Sequence, residues 1–443
     1  MLRRRFLLST PAAACAGSAS LLWPGWSDAW ASAPIQARSK AAPKLVVVML
    51  RGAVDGLSVV VPHGDTGYQQ ARESIALAAP SSAEGTVLPL DRLFGLHPAL
   101  ERLMPLWNRG LLGFVHASGS PDPTRSHFDA QDYMESGTPG RKSTPDGWMN
   151  RLLAHLPGPA STTRALNMGA TPARIFAGPA TVASLGLGPR AMDAKAIDNP
   201  ELQAALARLY ASDGSLARTF QETTQSRIEM SRTMAAADAR NRQARREAEM
   251  AAAAPGDNGR SSDPSADAGA PTARGFAADA LRLGQLIQAD PHTQLAFTSV
   301  GGWDTHVNQG GARGALANRL GSLGLGLESL IQGLGDALEH TVIVVMSEFG
   351  RTVRQNGTGG TDHGRGNVMW LLGGPVAGGH VRGEWPGLDR AALADGRDLA
   401  VTTDFRGVLS PVLQQHLGLG DAAMDHVFPG FSGPMLKEPV LRS

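Results

Sequence analysis

Six residues of this chain have the types and placement that hold a divalent cation: Asp55, Asp304, His306, Glu348, Asp362 and His363. Carboxylate oxygens and imidazole nitrogens ligate zinc, manganese, calcium and magnesium, so the expected cofactor is a divalent ion, Zn, Mn, Ca or Mg. Three of the acids stand just beyond apolar runs that read as buried strands. KLVVVML (44–50) runs into RGAVDG, QLAFTSV (294–300) into GGWDTH and TVIVVM (341–346) into SEF, while TDHG (361–364) follows after a loop rich in Gly, Asn and Thr. In an open α/β sheet the C-terminal strand ends border one crevice, which would gather these side chains. A pair of ions there, about 3.5 to 4 Å apart, could bind a phosphate or sulfate ester, polarise it and activate a nucleophile.

The candidate nucleophile is Ser126, in SGSPDPTRSHFDAQDYMESG, directly before a helix predicted over residues 128–135. The positive end of that helix would favour a bound oxyanion. The same serine also has the chemistry of a plain N-cap. His127 and His116 are candidate general acids or supports for the ligands, and Arg125 and Arg351 candidate clamps on the oxyanion. His63, His97 and His380 are placed at the rim, and His155, His292, His340, His416 and His426 are read as structural.

The elements that must position these residues read as an α/β chain. A strand at 44–50, an amphipathic helix at 97–109 and a strand at 111–116 give the strand, helix, strand order of a parallel sheet. Helices at 276–289, 316–338 and 404–417 and strands at 294–300, 341–346 and 368–372 continue it, with the glycines of 316–338 expected to weaken that helix. Residues 199–254 read as a long polar helix or helical pair. Residues 254–272 are rich in Pro, Gly, Ser and Asp and read as a mobile linker. The whole of 189–272 is therefore taken as an insertion or cap on a single domain spanning 32–443.

Residues 1–31 read as a twin-arginine export signal: Arg3, Arg4 and Arg5 precede an Ala-rich apolar stretch and the small residues Ala29 and Ala31. The expected location is the periplasm or the medium, with the twin-arginine translocase as a partner during export. The one cysteine, Cys15, lies inside that segment, so residues 32–443 exclude disulfides, thiolate nucleophiles and cysteine-ligated metal. Net charge is +1, with no basic stripe for nucleic acid and no apolar run of the roughly 20 residues that span a bilayer.

The motifs LRGAVDGL (50–57), SHFDAQDYMESG (126–137), GGWDTH (301–306), SEFGRT (347–352) and TDHG (361–364), in that order behind a twin-arginine signal, resemble the domain-of-unknown-function 1501 family. Those are exported bacterial proteins related to the sulfatase and alkaline phosphatase superfamily. The resemblance runs from about residue 44 to the helix at 404–417 and is weakest over the Ala-rich middle. It implies an alkaline phosphatase-like three-layer sandwich, a mostly parallel sheet between helices, with a one-metal or two-metal site at its C-terminal edge. Residues 123–126 also look like the nucleophile run of nucleotide phosphodiesterases, which favours Ser126 over Thr124. The chain departs from the superfamily pattern in two places. Only one residue separates Asp304 from His306, and Glu348 with Phe349 stands where an Asp-His pair is the rule, so two-metal, one-metal and silent sites all stay open. The leading expectation is a metal-dependent hydrolase of small-molecule or polysaccharide phosphate or sulfate esters. The competing one is a non-enzymatic envelope protein that keeps the fold as a binding scaffold.

Overall fold

The computed structural model describes residues 42–442, except 160, 170, 189–190, 192, 194, 239–245, 247–249 and 251–260. The chain divides into Met1–Lys40 and Ala41–Ser443, and the described residues belong to the second unit. The export-signal reading of residues 1–31 therefore lies outside them.

Among the described residues a nine-stranded sheet holds β1 (Lys44–Leu50), β2 (Leu112–Gly119), β3 (Ala165–Met168), β4 (Ala183–Leu185), β5 (Leu295–Val300), β6 (Thr341–Ser347) and β7 (Asn367–Leu372). Two-residue strands at Val381–Arg382 and Thr403–Asp404 pair with β2. From one edge the order is Val381–Arg382, β2, β7, β6, β1, β5, β3, β4, and only the two pairings made by β7 are antiparallel. β1 is central, and successive side chains serve opposite faces. Val46, Val48 and Leu50 join Ile343 and Val345 in one core, while Leu45, Val47 and Met49 join Val342, Val344 and Met346 in the other. Burial on both faces is why these strands are continuous apolar runs, and it makes the molecule the three-layer α/β sandwich predicted from the sequence.

One face is covered by α2 (Phe276–Ala289) and α3 (Ala315–Leu334). The glycines expected to weaken α3 instead let the two helices touch. A Cβ on Gly284 would lie 2.4 Å from the Leu330 carbonyl, and one on Gly333 would lie 2.4 Å from that of Leu281. The predicted helix at 97–109 is broken into a 3-10 turn, Pro98–Leu103, and a short helix, Met104–Asn108, because Pro105 removes a backbone donor inside it. Within 189–272 two α-helices are described, Pro200–Tyr210 and Gly214–Asp238, beside 3-10 turns at Ala196–Asp198 and Pro264–Asp267, and the first α-helix buries no residue. No helix among the described residues is long and apolar enough to cross a membrane.

The pairing of β1 with β5 and β6 brings Arg51–Asp55, the segment after Val300 and the segment after Ser347 to one edge of the sheet. Two buried polar groupings hold that edge. Asp55 receives both guanidinium nitrogens of Arg72, with Ser58 Oγ at 2.8 Å and Gln309 Nε2 at 2.7 Å, and neither charged side chain is exposed. Burial alone would raise the Asp55 pKa, but the charge and hydrogen bonds of Arg72 hold it below the usual carboxylate range. His97 and His116 lie in the core rather than at the rim or the site. In each, one ring nitrogen faces a carbonyl, Gly311 at 3.2 Å or Val60 at 2.9 Å, while Nδ1 accepts a backbone N–H. That pattern fits a neutral ring, and burial pushes both pKa values down to about 4.

Two outcomes follow from these groupings. Arg72→Met leaves a buried carboxylate unpaired and should lower the unfolding free energy by about 3–5 kcal/mol, with Asp55→Leu/Arg72→Met less damaged than the single variant. Urea unfolding of the three proteins checks this, and a single-variant loss below about 1 kcal/mol would show the pair to be dispensable. For His97 and His116 the unfolded rings take up protons near pH 6.5 while the folded rings resist to about pH 4. Stability is thus complete above pH 6.5 and falls as the pH drops toward 4, by up to roughly 3 kcal/mol per ring. Urea midpoints across that range should slope less in His116→Gln than in the parent; equal slopes would refute the assignment.

Candidate metal centre

Three histidines and one aspartate meet at this edge. His127 Nε2 and His306 Nε2 each lie 3.0 Å from His363 Nε2. Asp304 Oδ1 lies 3.0 Å from His306 Nε2, 3.3 Å from His363 Nε2 and 3.6 Å from His127 Nε2. Ligands around a tetrahedral zinc with bonds of about 2.0 Å are separated by about 3.3 Å, which matches the spacing among His127, Asp304 and His363, while His306 is close to Asp304 and His363. His127, Asp304 and His363 form a group able to hold an ion.

The outward nitrogens decide what the inward ones can do. His363 Nδ1 is 2.9 Å from the Arg125 carbonyl, His127 Nδ1 is 2.9 Å from Glu348 Oε1, and His306 Nδ1 is 2.9 Å from Asp362 Oδ1. A carbonyl or carboxylate oxygen only accepts, so each Nδ1 carries the proton and each neutral ring turns its Nε2 lone pair inward. Arg351 sets a positive charge on one side of this group, 2.6 Å from Asp304 Oδ1 and 3.5 Å from His306 Nε2, and a cation among the Nε2 atoms would balance the lone pairs that remain. The donor set therefore fits a divalent cation, with the outer acceptors fixing tautomer and ring orientation as is usual around bound metals. Without an ion the same demand raises the proton affinity of His127 and His306. Burial would lower the His127 pKa, but Asp304 and Glu348 lift it to about 9. The bond to Asp304 raises His306, and Asp304 itself, which burial would raise, is held far below the carboxylate range by the three histidines and Arg351.

Local structure explains each placement. His127 opens α1 (His127–Ser136), whose N-cap Ser126 accepts from Asp129 N at 3.4 Å and which ends at left-handed Gly137. Asp304 and His306 leave the end of β5. In the turn after β1, Gly52 has φ 107°, and a Cβ there would lie 2.7 Å from Asp304 N, so the turn requires glycine. Gly52 N also donates to Glu348 Oε1 at 2.8 Å. Asp362 and His363 return to the edge because β7, which they precede, runs antiparallel to β6 and starts where β6 ends.

Of the six predicted ligands, Asp304, His306 and His363 are in the cluster. Glu348 and Asp362 stand one bond further out, as the acceptors for His127 and His306. Asp55 is further away still, with its oxygens taken by Arg72, Ser58 and Gln309; it acts through Gln309, whose Oε1 accepts from Thr305 and Thr361 at 2.8 Å each. Arg351, expected as a clamp, is 1% exposed and donates to Asp304 Oδ1 at 2.6 Å, to the Ala53 carbonyl at 2.8 Å and to the Thr361 and Trp303 carbonyls. The Arg125 guanidinium turns to Asp395 and Asp398, leaving its carbonyl to hold His363. The Ser126 hydroxyl is exposed and caps α1.

Sequence reading missed residues 261–267, taken as part of a mobile linker. Asp263 N donates to Asp304 Oδ2 at 3.0 Å, Ser262 N donates to the Asp304 carbonyl at 2.7 Å, and Asp267 Oδ1 accepts from Gly302 N at 2.7 Å. Most of these contacts are backbone donors, which composition does not reveal. Gln131 was missed as well: it bonds Glu348 Oε1 at 2.9 Å and the Ala266 carbonyl at 2.7 Å. Its position four residues after His127 on a helix was the available signal.

No curated protein matches the sequence. Among solved structures, the crystal structure of Ps i-CgsB in complex with k-i-k-neocarrahexaose is 11% identical, with 86% of this chain and 74% of that one covered at a TM-score of 0.37. The structure of BT1596, a 2-O GAG sulfatase, is 12% identical, with 86% and 71% covered at a TM-score of 0.28. The family described as "Protein of unknown function (DUF1501)" matches residues 112–428, and this chain belongs to it.

Proposed function

We propose that the protein is an exported hydrolase of phosphate or sulfate esters that works with one divalent cation held by His127, Asp304, His306 and His363. The observation that carries the reading is the convergence of three imidazole Nε2 atoms on Asp304 Oδ1 while every Nδ1 faces an acceptor. The ester class rests on the order of the motifs around those residues. The chemistry such an ion supplies is Lewis-acid polarisation of an ester oxygen and a lowered pKa for water.

The chain's own groups do the rest. Glu348 and Asp362 hold two rings in the ligating tautomer, and the Arg125 carbonyl holds the third. Arg351 offsets the charge of Asp304 from beneath and pins the three loops that bear the cluster. Because Ser126 caps α1, we assign the attacking oxygen to water rather than to this serine, and His127 to ligation rather than to general acid catalysis.

Protein purified from its exporting host should carry about one divalent ion per chain by elemental analysis. His306→Ala and His363→Ala should abolish that content, whereas Glu348→Gln should weaken affinity about 10- to 100-fold. Absence of any bound or acquirable ion would end the reading. With 4-nitrophenyl phosphate and 4-nitrophenyl sulfate as substrates, Ser126→Ala should keep turnover within a few-fold of the parent and lose about 1 kcal/mol of stability. A fall beyond about 100-fold would return the nucleophile to Ser126.

A further inference from the structure

Beside the cluster, along α1, lies a cavity of about 670 Å³, within the range of about 300 to 1,000 Å³ for small-molecule sites. Its floor is the C-terminal edge of the sheet, with Arg51 after β1, Asn167 in β3 and Ser299 in β5. One wall is α1, which contributes Phe128, Gln131, Asp132 and Glu135. The facing wall is the segment from Ser265 to Pro271, the continuation of the loop that bonds Asp304. Gln131 joins the two places, since it lines the cavity and shares Glu348 Oε1 with His127.

Three features of the lining define what fits. Its charges are already balanced: Arg51 pairs with Glu135 at 2.6 Å and Arg174 with Asp132 at 2.7 Å, so no free cation or anion calls for a charged ligand. Arg51, Gln131, Asn167 and Arg174 are bonded to neighbouring groups of the protein, which leaves the Asp132 carboxylate and the Thr171 and Ser299 hydroxyls as the polar groups of the lining with hydrogen-bonding capacity to spare, the kind that sugar hydroxyls satisfy. At the mouth, Phe128 is 83% exposed, an aromatic face left in water directly after a cluster histidine. A phenyl face bordered by hydrogen-bonding groups accepts a ring with an apolar C–H face and a hydroxylated rim.

We infer that this cavity is a binding site for uncharged sugar units, stacked on Phe128 and held by the Asp132 carboxylate and the Thr171 and Ser299 hydroxyls. Nucleotides fit the lining poorly, because their phosphates need cations that here are paired. The site stands apart from the ester reading: its occupant binds whether or not an ion is present or an ester is cleaved.

The test is calorimetric titration of the full exported protein with neutral hexasaccharides, α-1,4-glucan, β-1,4-glucan and β-1,4-galactan, and with adenosine, each with and without EDTA. At least one hexasaccharide should bind, equally in both buffers. Phe128→Ala should weaken it at least about tenfold and Phe128→Trp should restore it. The inference is overturned if no saccharide binds at 10 mM, if binding is indifferent to Phe128, or if adenosine alone binds with the same dependence. No hydrolysis of 4-nitrophenyl phosphate or sulfate by the metal-loaded protein, with saccharide binding intact, would sink the ester reading and leave this one standing.

Discussion

Three imidazole nitrogens held 3.0 to 3.6 Å from one carboxylate oxygen are an arrangement that a fold keeps only by fixing every participant from outside. Much of the surrounding structure is that fixation. Each Nδ1 has its own acceptor, from a different place: a strand end for His127, a loop for His306 and a main-chain carbonyl for His363. Removing the acceptor frees the ring to flip or to move its proton, and the lone pair then leaves the centre.

The loops carrying these groups are in turn held by buried charge. Arg351 reaches the turn after β1, the turn after β5 and the loop before His363, so one guanidinium ties three segments. Arg72 with Asp55 does the same one layer deeper, and Gln309 passes that anchoring to Thr305 and Thr361, the residues just ahead of His306 and Asp362. A buried pair of this kind contributes little net stability against apolar replacements, but it fixes geometry tightly because any displacement leaves a charge unpaired. Rigidity here serves position.

This division of labour sets what the sequence could reveal. Strand ends were legible, since an apolar run that stops at an acid needs only local pattern, and the acids after β1, β5 and β6 do reach one edge. Which acids face the cluster was not legible. Asp55 looks from sequence like a ligand, yet its partner Arg72 lies 17 residues on and nothing local announces the pairing. Glu348 and His127 are 221 residues apart, and only the packed structure shows that one holds the other. The Pro- and Ser-rich segment at 261–267 was misread for a related reason. Its composition gives no periodic pattern and only one 3-10 turn, Pro264–Asp267, but backbone N–H groups need no periodicity to bind Asp304.

The late arrival of Asp362 and His363 is explained by strand direction. A parallel strand can place side chains at the C-terminal edge only after it ends, whereas an antiparallel strand places them there before it begins. β7 is antiparallel, and its first residue, Asn367, pairs with Ser118 near the end of β2. Residues 348–366 therefore leave the edge and come back to it, supplying Glu348 on the way out and Asp362 with His363 on the return. The separation that looked like a defect in a metal site is thus the length of an excursion. Because both ends of that excursion are fastened at the edge, by Glu348 to Gly52 and by Gly350 to Gly364, ligand and support are set by one loop closure.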